Sequence, residues 1–176
     1  MQPIVIKPVI PEMLDTLVQL EQQTFMETFG PTHQPDDLAV FMQERKDAAA
    51  LREQLLQPGC LYYLLYYGEH VAGFLKLNLG KQPDDAAHTQ LPSPIELEKI
   101  YVLKAWQGHK LGKALIQHAY TVALEHQAAT IWLGVWEHNT KALRFYGSEG
   151  FEKFGEHTFN VGRQSDTDWL LKRAVK

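Results

Sequence analysis

The segment Glu96–Gly112 concentrates the residue types that do chemistry in this chain. Glu96 and Glu98 flank Leu97 in a strand-like run that continues through Ile100, Tyr101 and Val102. Alternation puts both carboxylates on one strand face, where a bulge turns either one toward a bound group to take a proton from it. Next comes Gln107-Gly108-His109-Lys110-Leu111-Gly112, and then helical sequence. A glycine-containing turn between a strand and a helix start offers backbone N–H groups and a helix dipole to an anion, of which phosphate is the commonest. The turn lacks the Gly-Lys-Ser/Thr ending of a Walker loop and the Gly-x-Gly-x-x-Gly spacing of a dinucleotide fold. What remains is a compact pyrophosphate cradle beside a strand, which suits coenzyme A.

The elements that must position these groups are legible from apolar spacing. Ile4 to Lys7 reads as a strand stopped by Pro8 and Pro11, and Met13, Leu14, Leu17, Val18, Leu20, Phe25 and Phe29 then recur near helical spacing up to Gly30-Pro31. A second helical region falls in two pieces, 34–44 and 47–57, closed by Pro58-Gly59. Cys60–Tyr67 and His70–Leu79 form a hairpin about Gly68-Glu69. The proline-rich stretch 81–94, with Asp84 and Asp85, reads as a surface loop. After the turn come an amphipathic helix over 110–126, a buried strand Thr130–Trp136 and a helix beginning at Asn139 and running through Tyr146. A final strand pair covers Phe151–Val161 and Thr167–Lys172. Strands paired first by a hairpin and later joined through helices predict a mixed sheet.

At 176 residues, 45% of them hydrophobic, the sequence predicts one globular domain over 1–176. A formal charge of −4 weighs against nucleic acid as the partner and is compatible with a cationic substrate. The single Cys60 leaves no intrachain disulfide and suits a reducing cytoplasm. The start of the chain does not read as a signal peptide, and no apolar run is long enough to span a bilayer, so a soluble cytoplasmic protein with no membrane partner is expected. The eight histidines show no metal-ligand spacing, and no metal is predicted. Trp132 and Trp136 share a strand face at period two and read as core, while Trp106 braces the turn.

Ile100-Tyr101-Val102, the Gln107–Gly112 turn, the run Ile131–Ala142, Phe145-Tyr146 and Gly150-Phe151 together resemble the GNAT superfamily of N-acetyltransferases, over nearly the whole chain. Thr24-Phe25, Thr28-Phe29 and Trp132–Glu137 look more closely like the bacterial PaiA-type enzymes, which acetylate spermidine and spermine. The resemblance implies an α/β (α+β) fold: a mixed, mostly antiparallel sheet of about seven strands with a splayed central parallel pair, flanked by about four helices. It implies acetyl-CoA as cosubstrate, a small-molecule amine as acceptor and, by analogy, a homodimer. One departure stands out, since Lys110 occupies the first glycine position of the family's turn.

Acetyl transfer to an amine needs alignment, a neutral nucleophile and a proton for the departing thiolate. The resemblance implies that backbone groups of Ile100, Tyr101 and Val102 hold the pantetheine arm. It places the pyrophosphate on the amides of Gln107, Gly108, His109, Lys110, Leu111, Gly112 and Lys113. Asn139 caps its helix and contacts the coenzyme, with Ala142 and Phe145 packed along the arm and Tyr146 as general acid. A bulge near Glu98–Ile100 is implied as the device that parts the two strands. Glu96 is favoured as base and Glu98 for recognition of substrate charge, although the assignment between the two stays open. The acceptor pocket is expected between the first two helices and 151–163, with Phe25, Phe29 and Tyr66 weighed as its apolar wall against plain core packing. Glu27, Asp36, Asp37 and Glu44 are weighed there as attractors of a polycation against plain solvated faces. The rival acceptors are a protein N-terminus, an amino acid or an aminoglycoside, and the rival class is a coenzyme-binding regulator without turnover.

Overall fold

The computed structural model describes residues 2–84, 90–161 and 163–175. Seven strands form one sheet in the order β1-β2-β3-β4-β5-β7-β6. They are β1 (Ile4–Pro8), β2 (Cys60–Tyr67), β3 (His70–Leu79), β4 (Pro94–Val102), β5 (Thr130–Trp136), β6 (Glu152–Val161) and β7 (Gln164–Ala174). Every neighbouring pair is antiparallel except β4–β5, which is parallel. The mixed, mostly antiparallel sheet is therefore the expected one. Five α-helices accompany it among the described residues: α1 (Leu14–Phe29), α2 (Pro35–Arg45), α3 (Ala48–Leu56), α4 (Leu111–Glu125) and α5 (Thr140–Ser148). The count exceeds about four because the second helical region is two separate helices, with Asp47 capping α3 through Ala50 N at 2.7 Å. Met13 belongs to a 3₁₀ turn, Pro11–Met13, ahead of α1 rather than to the helix itself. Residues 85–89 of the expected 81–94 loop, Asp85 included, lie outside the described residues.

Each face of the sheet carries its own core. Ile95, Leu97, Ile131 and Leu133 alternate onto the face packed by Leu111, Leu115, Ile116 and Ala119 of α4. On the other face Leu14, Leu17 and Leu20 of α1 and Leu51 of α3 pack on Tyr62, Leu64 and Phe74. That second layer covers β2 and β3 and leaves the β5–β7 side to a smaller cluster of Phe25, Phe29 and Leu38 with Trp136. His33, whose side chain is fully buried, ties the end of α1 to β7 through Nε2 and Asp166 Oδ2 at 2.9 Å. No helix among the described residues is long and apolar enough to cross a membrane.

Candidate active site

The parallel strands β4 and β5 are paired only at Pro94–Glu96 against Thr130–Trp132, and beyond that they part. The register of β4 against β3 slips at the same place: Lys76 faces Lys99 while Leu77 faces Leu97, so Glu98 is the extra residue of a bulge. The bulge falls at the near end of the expected range. It bends β4 away from β5 and brings Glu98 beside Glu96, where one Asn78 side chain donates to both, at 2.6 Å to Glu96 Oε2 and 2.7 Å to Glu98 Oε2.

Two cavities open into the gap. The first, of about 870 Å³, lies toward α4 and is bordered by Ile100, Tyr101, Val102, Gln107, Gly108, Gly112, Lys110 and Lys113. This turn-side cavity is framed by special backbone geometry. Gly108 has φ +88°, and a Cβ there would meet nothing within 4 Å, so the chain turns beside open space. Lys110, the N-cap of α4, sits in the left-handed region at φ 61°, ψ 18°. The turn therefore needs a glycine-like conformation at 110, and lysine adopts it. Amides at a helix start with two ammonium groups beside them fit a diphosphate. The Gln107 side chain is otherwise engaged: Nε2 donates to Val102 O at 3.0 Å, and Lys141 Nζ donates to its Oε1 at 2.5 Å. His109 does not border this cavity; its ring stands 5.0 Å from that of Tyr67. Trp106 stacks on His70 at 5.0 Å and lies edge-on to Tyr67, so it packs against β2 and β3 just ahead of the turn.

The second cavity, about 980 Å³, lies on the carboxylate side of the gap and is bordered by Glu96, Glu98, Phe25, Phe29, Gly134, His157 and Asp168, among others. The two cavities share Thr28, Ile100, Tyr101, Trp136, Asn139, Ala142 and Tyr146 as common walls. Asn139 caps α5 by accepting from Ala142 N at 3.1 Å, and this fixes the helix that carries Tyr146 at the junction. Phe145 borders the turn side only. Trp136, read as core, is half-buried at the same junction, because the strands part at its level. Trp132 is buried, and its indole donates to Lys81 O at 2.8 Å.

Environment pushes the two carboxylates apart. Burial raises the Glu96 carboxyl above its usual range; the Asn78 hydrogen bond opposes this and the Glu98 charge adds to it. Burial acts on Glu98 in the same sense, but the Lys99 and Lys76 ammoniums outweigh it and hold Glu98 low. Lys76 Nζ is 2.5 Å from Glu98 Oε2. Burial also raises the Tyr146 hydroxyl, with Tyr101 adding to the effect, so Tyr146 is a protonated donor at any ordinary pH. A neutral proton donor and a weakly basic carboxylate bordering one cavity can move protons in opposite directions.

Sequence reasoning missed the wall behind Glu98. Glu21 of α1 is fully buried and receives Lys46 Nζ at 2.6 Å, Lys99 Nζ at 2.7 Å and the Tyr62 hydroxyl at 2.8 Å. Burial works against its ionisation, yet the two lysines pull its carboxyl down to about 2. The available signal was position: Glu21 falls four residues after Leu17 and four before Phe25, on the buried stripe of α1. The four acidic residues weighed as polycation attractors lie elsewhere. Glu27 borders the turn-side cavity and accepts from Lys104 N at 2.9 Å, Asp37 pairs with Arg163 at 3.2 Å, and Asp36 and Glu44 are exposed. Tyr66 borders neither cavity, while Phe25 and Phe29 are at once buried core and cavity wall. Cys60 is half-buried at the cavity rim, with burial raising its thiol, so it remains a thiol and not a nucleophile. Among the described residues no three His, Cys, Asp or Glu side chains are grouped to hold a metal ion.

The model of the acetyltransferase (GNAT) family matches residues 15–151. An N-acetyltransferase of Lactobacillus delbrueckii subsp. lactis is 37% identical over 163 residues, covering 92% of each chain. A spermine/spermidine N(1)-acetyltransferase of Bacillus subtilis is 32% identical over 108 residues, 57% of this chain and 67% of that one. Among solved structures, the PaiA N-acetyltransferase of Thermoplasma acidophilum in complex with coenzyme A superposes with a TM-score of 0.77 over 98% of this chain and 99% of that one. Its identity is 16%, a likeness of fold.

Proposed function

This chain belongs to the GNAT acetyltransferase family, and on that premise we propose that it acetylates a primary amine of a small molecule, a polyamine such as spermidine or spermine before others. The acetyl donor is acetyl-CoA, which supplies an already activated thioester. The observation that carries the reading is the meeting of two cavities at Tyr146, one framed by phosphate-binding geometry and the other by carboxylates. The similarity to the Bacillus subtilis spermine/spermidine enzyme supports the polyamine, as does the general likeness in fold to a PaiA enzyme.

In this reading the amides of 107–113 and the start of α4 hold the diphosphate, with Lys110 and Lys113 offsetting its charge. Backbone groups of Ile100, Tyr101 and Val102, freed by the splay, hold the pantetheine arm, and Ala142 and Phe145 pack along it. Glu96 takes the proton of the incoming ammonium, directly or through water, because its raised carboxyl is the more basic of the pair. Glu98, drawn into an ion pair by Lys76, shapes the acceptor wall and its charge. Tyr146 gives its proton to the departing sulfur. Phe25 and Phe29 line the path of the acceptor's carbon chain. A single domain over 1–176 carries all of this, acting in the cytoplasm, where the lone thiol stays reduced.

Release of free thiol from acetyl-CoA, measured over a panel of spermidine, spermine, amino acids, an aminoglycoside and short peptides, tests the reading. Polyamines acetylated with the highest kcat/KM are the expected result. An amino acid leading the panel transfers the acceptor to an amine that also bears an anion, a reading favoured by Lys46, Lys76 and Lys99 on one wall. Coenzyme binding without thiol release from any amine overturns the enzymatic assignment of these residues.

A further inference from the structure

Of the carboxylates bordering the acceptor cavity, three have donors: Glu98 has Lys76, Asp84 has Lys81, and Glu96 has Asn78. Asp168 is different. Its Oδ1 is shut off from solvent and has no hydrogen-bond partner among the described residues, and its side chain as a whole is only 14% exposed. The basic side chain beside it is His157, with Nε2 3.8 Å from Oδ2, too long for a hydrogen bond. A buried carboxylate oxygen left without a donor loses its hydration uncompensated, so the chain keeps it at the expense of stability.

The placement of Asp168 depends on a missing side chain. Asp168 pairs across the sheet with Trp136 and with His157, so all three share the cavity face. Two residues before Trp136 on that face of β5 stands Gly134. A Cβ there would come within 3.2 Å of His157 Cε1 and 3.4 Å of Asp168 Oδ2. Glycine thus lets the carboxylate and imidazole lean over β5 toward the gap. Glu96 approaches from the other direction: it pairs with Trp132, which pairs with Lys172, four residues from Asp168. Two strand spacings and four residues place the two α-carbons roughly 16 Å apart. The reach of a side chain at each end shortens that span.

We propose that Asp168, steadied by His157 and admitted by Gly134, is a cation subsite that receives the ammonium of the acceptor farthest from the nitrogen being acetylated. Glu96 and Asp168 then take the two ends of an extended diamine or polyamine, whose far ammonium meets the Asp168 carboxylate from the cavity that it borders. The lysines of the cavity lie toward β3, β4 and α2, each drawn to a carboxylate, and they turn a second ammonium away from that wall. Burial also raises the Asp168 carboxyl, to about 6, with His157 opposing this and Asp166 adding to it; an arriving ammonium lowers it again. The inference rests on the amine-acetylation reading and names the residue that would meet the acceptor's second positive charge.

The test compares spermidine, 1,4-diaminobutane and butylamine with the parent enzyme, Asp168→Asn and Asp168→Ser. The ratio of kcat/KM for spermidine over butylamine is expected to fall at least tenfold in both variants. The fall should be carried by KM, and Asp168→Glu should restore part of it. An unchanged ratio, or equal losses for the monoamine and the polyamine, overturns the subsite. Should the parent acetylate none of these amines, the acceptor reading falls, and binding still decides the subsite. Spermidine raising the melting temperature of the parent but not of Asp168→Asn upholds it; equal shifts in the two refute it.

Discussion

On the turn side the phosphate-binding geometry comes from a short contiguous run, whereas the carboxylate-side cavity draws on side chains from α1, α2, α3, α5 and strands β2 to β7. On the turn side, residues 107–113 contribute mainly backbone: a glycine at φ +88°, a left-handed lysine and the first amides of α4. On the other side, Glu98 is held by Lys76, Glu21 gathers Lys46 and Lys99, and Asp168 is reached from β6 and β5. Backbone geometry tolerates changes of side chain, as Lys110 demonstrates at a glycine position. A buried ionic wall does not, because removing one partner leaves the others charged and dry. The first arrangement suits a cosubstrate of fixed shape, and the second can be retuned toward different acceptors.

The junction offers the largest test of this division. Tyr146→Phe is expected to lower kcat by about 10²–10³-fold while coenzyme Kd stays within about twofold, read from steady-state kinetics and calorimetry. A matching loss of coenzyme affinity would assign Tyr146 to the turn side and break the division where the two cavities meet. On the ionic wall, Glu21→Ala strands Lys46 and Lys99 and should cost about 3–5 kcal/mol in denaturant unfolding. A loss below about 1 kcal/mol would mean that the wall is as tolerant as the turn. The smallest effect belongs to the backbone side: Lys110→Gly relieves the left-handed conformation and should raise stability by roughly 0.5–1 kcal/mol, a few degrees at most in melting temperature. A decrease would show that the lysine side chain, and not the backbone, maintains the turn.

The same division explains what was readable in the sequence. The hairpin Cys60–Tyr67 and His70–Leu79 and the strand Thr130–Trp136 have the bounds that alternation and Gly68 predict, because local signals set them. The turn is likewise contiguous, and its motif stands in the sequence as it stands in space. Glu96 and Glu98 share a face as alternation requires, although their different environments come from Asn78 and Lys76 on the neighbouring strand. Glu21 was illegible as a charge partner, since its lysines lie 25 and 78 residues away along the chain. A carboxylate on a helix ordinarily faces water. Asp168 carries no motif at all. Its character comes from burial and from a glycine 34 positions earlier, a relation that only the folded sheet creates.

Beyond Glu96 and Trp132 the parted strands leave main-chain donors and acceptors without ladder partners, so the middle of this sheet has two inner edges. Open edges on a surface invite strands of other molecules and lead toward aggregation. Here a full sheet flanks each inner edge, and only a slender, flexible chain can thread the slot. The fold thus keeps adhesive main chain available to a small visitor while denying it to neighbouring proteins.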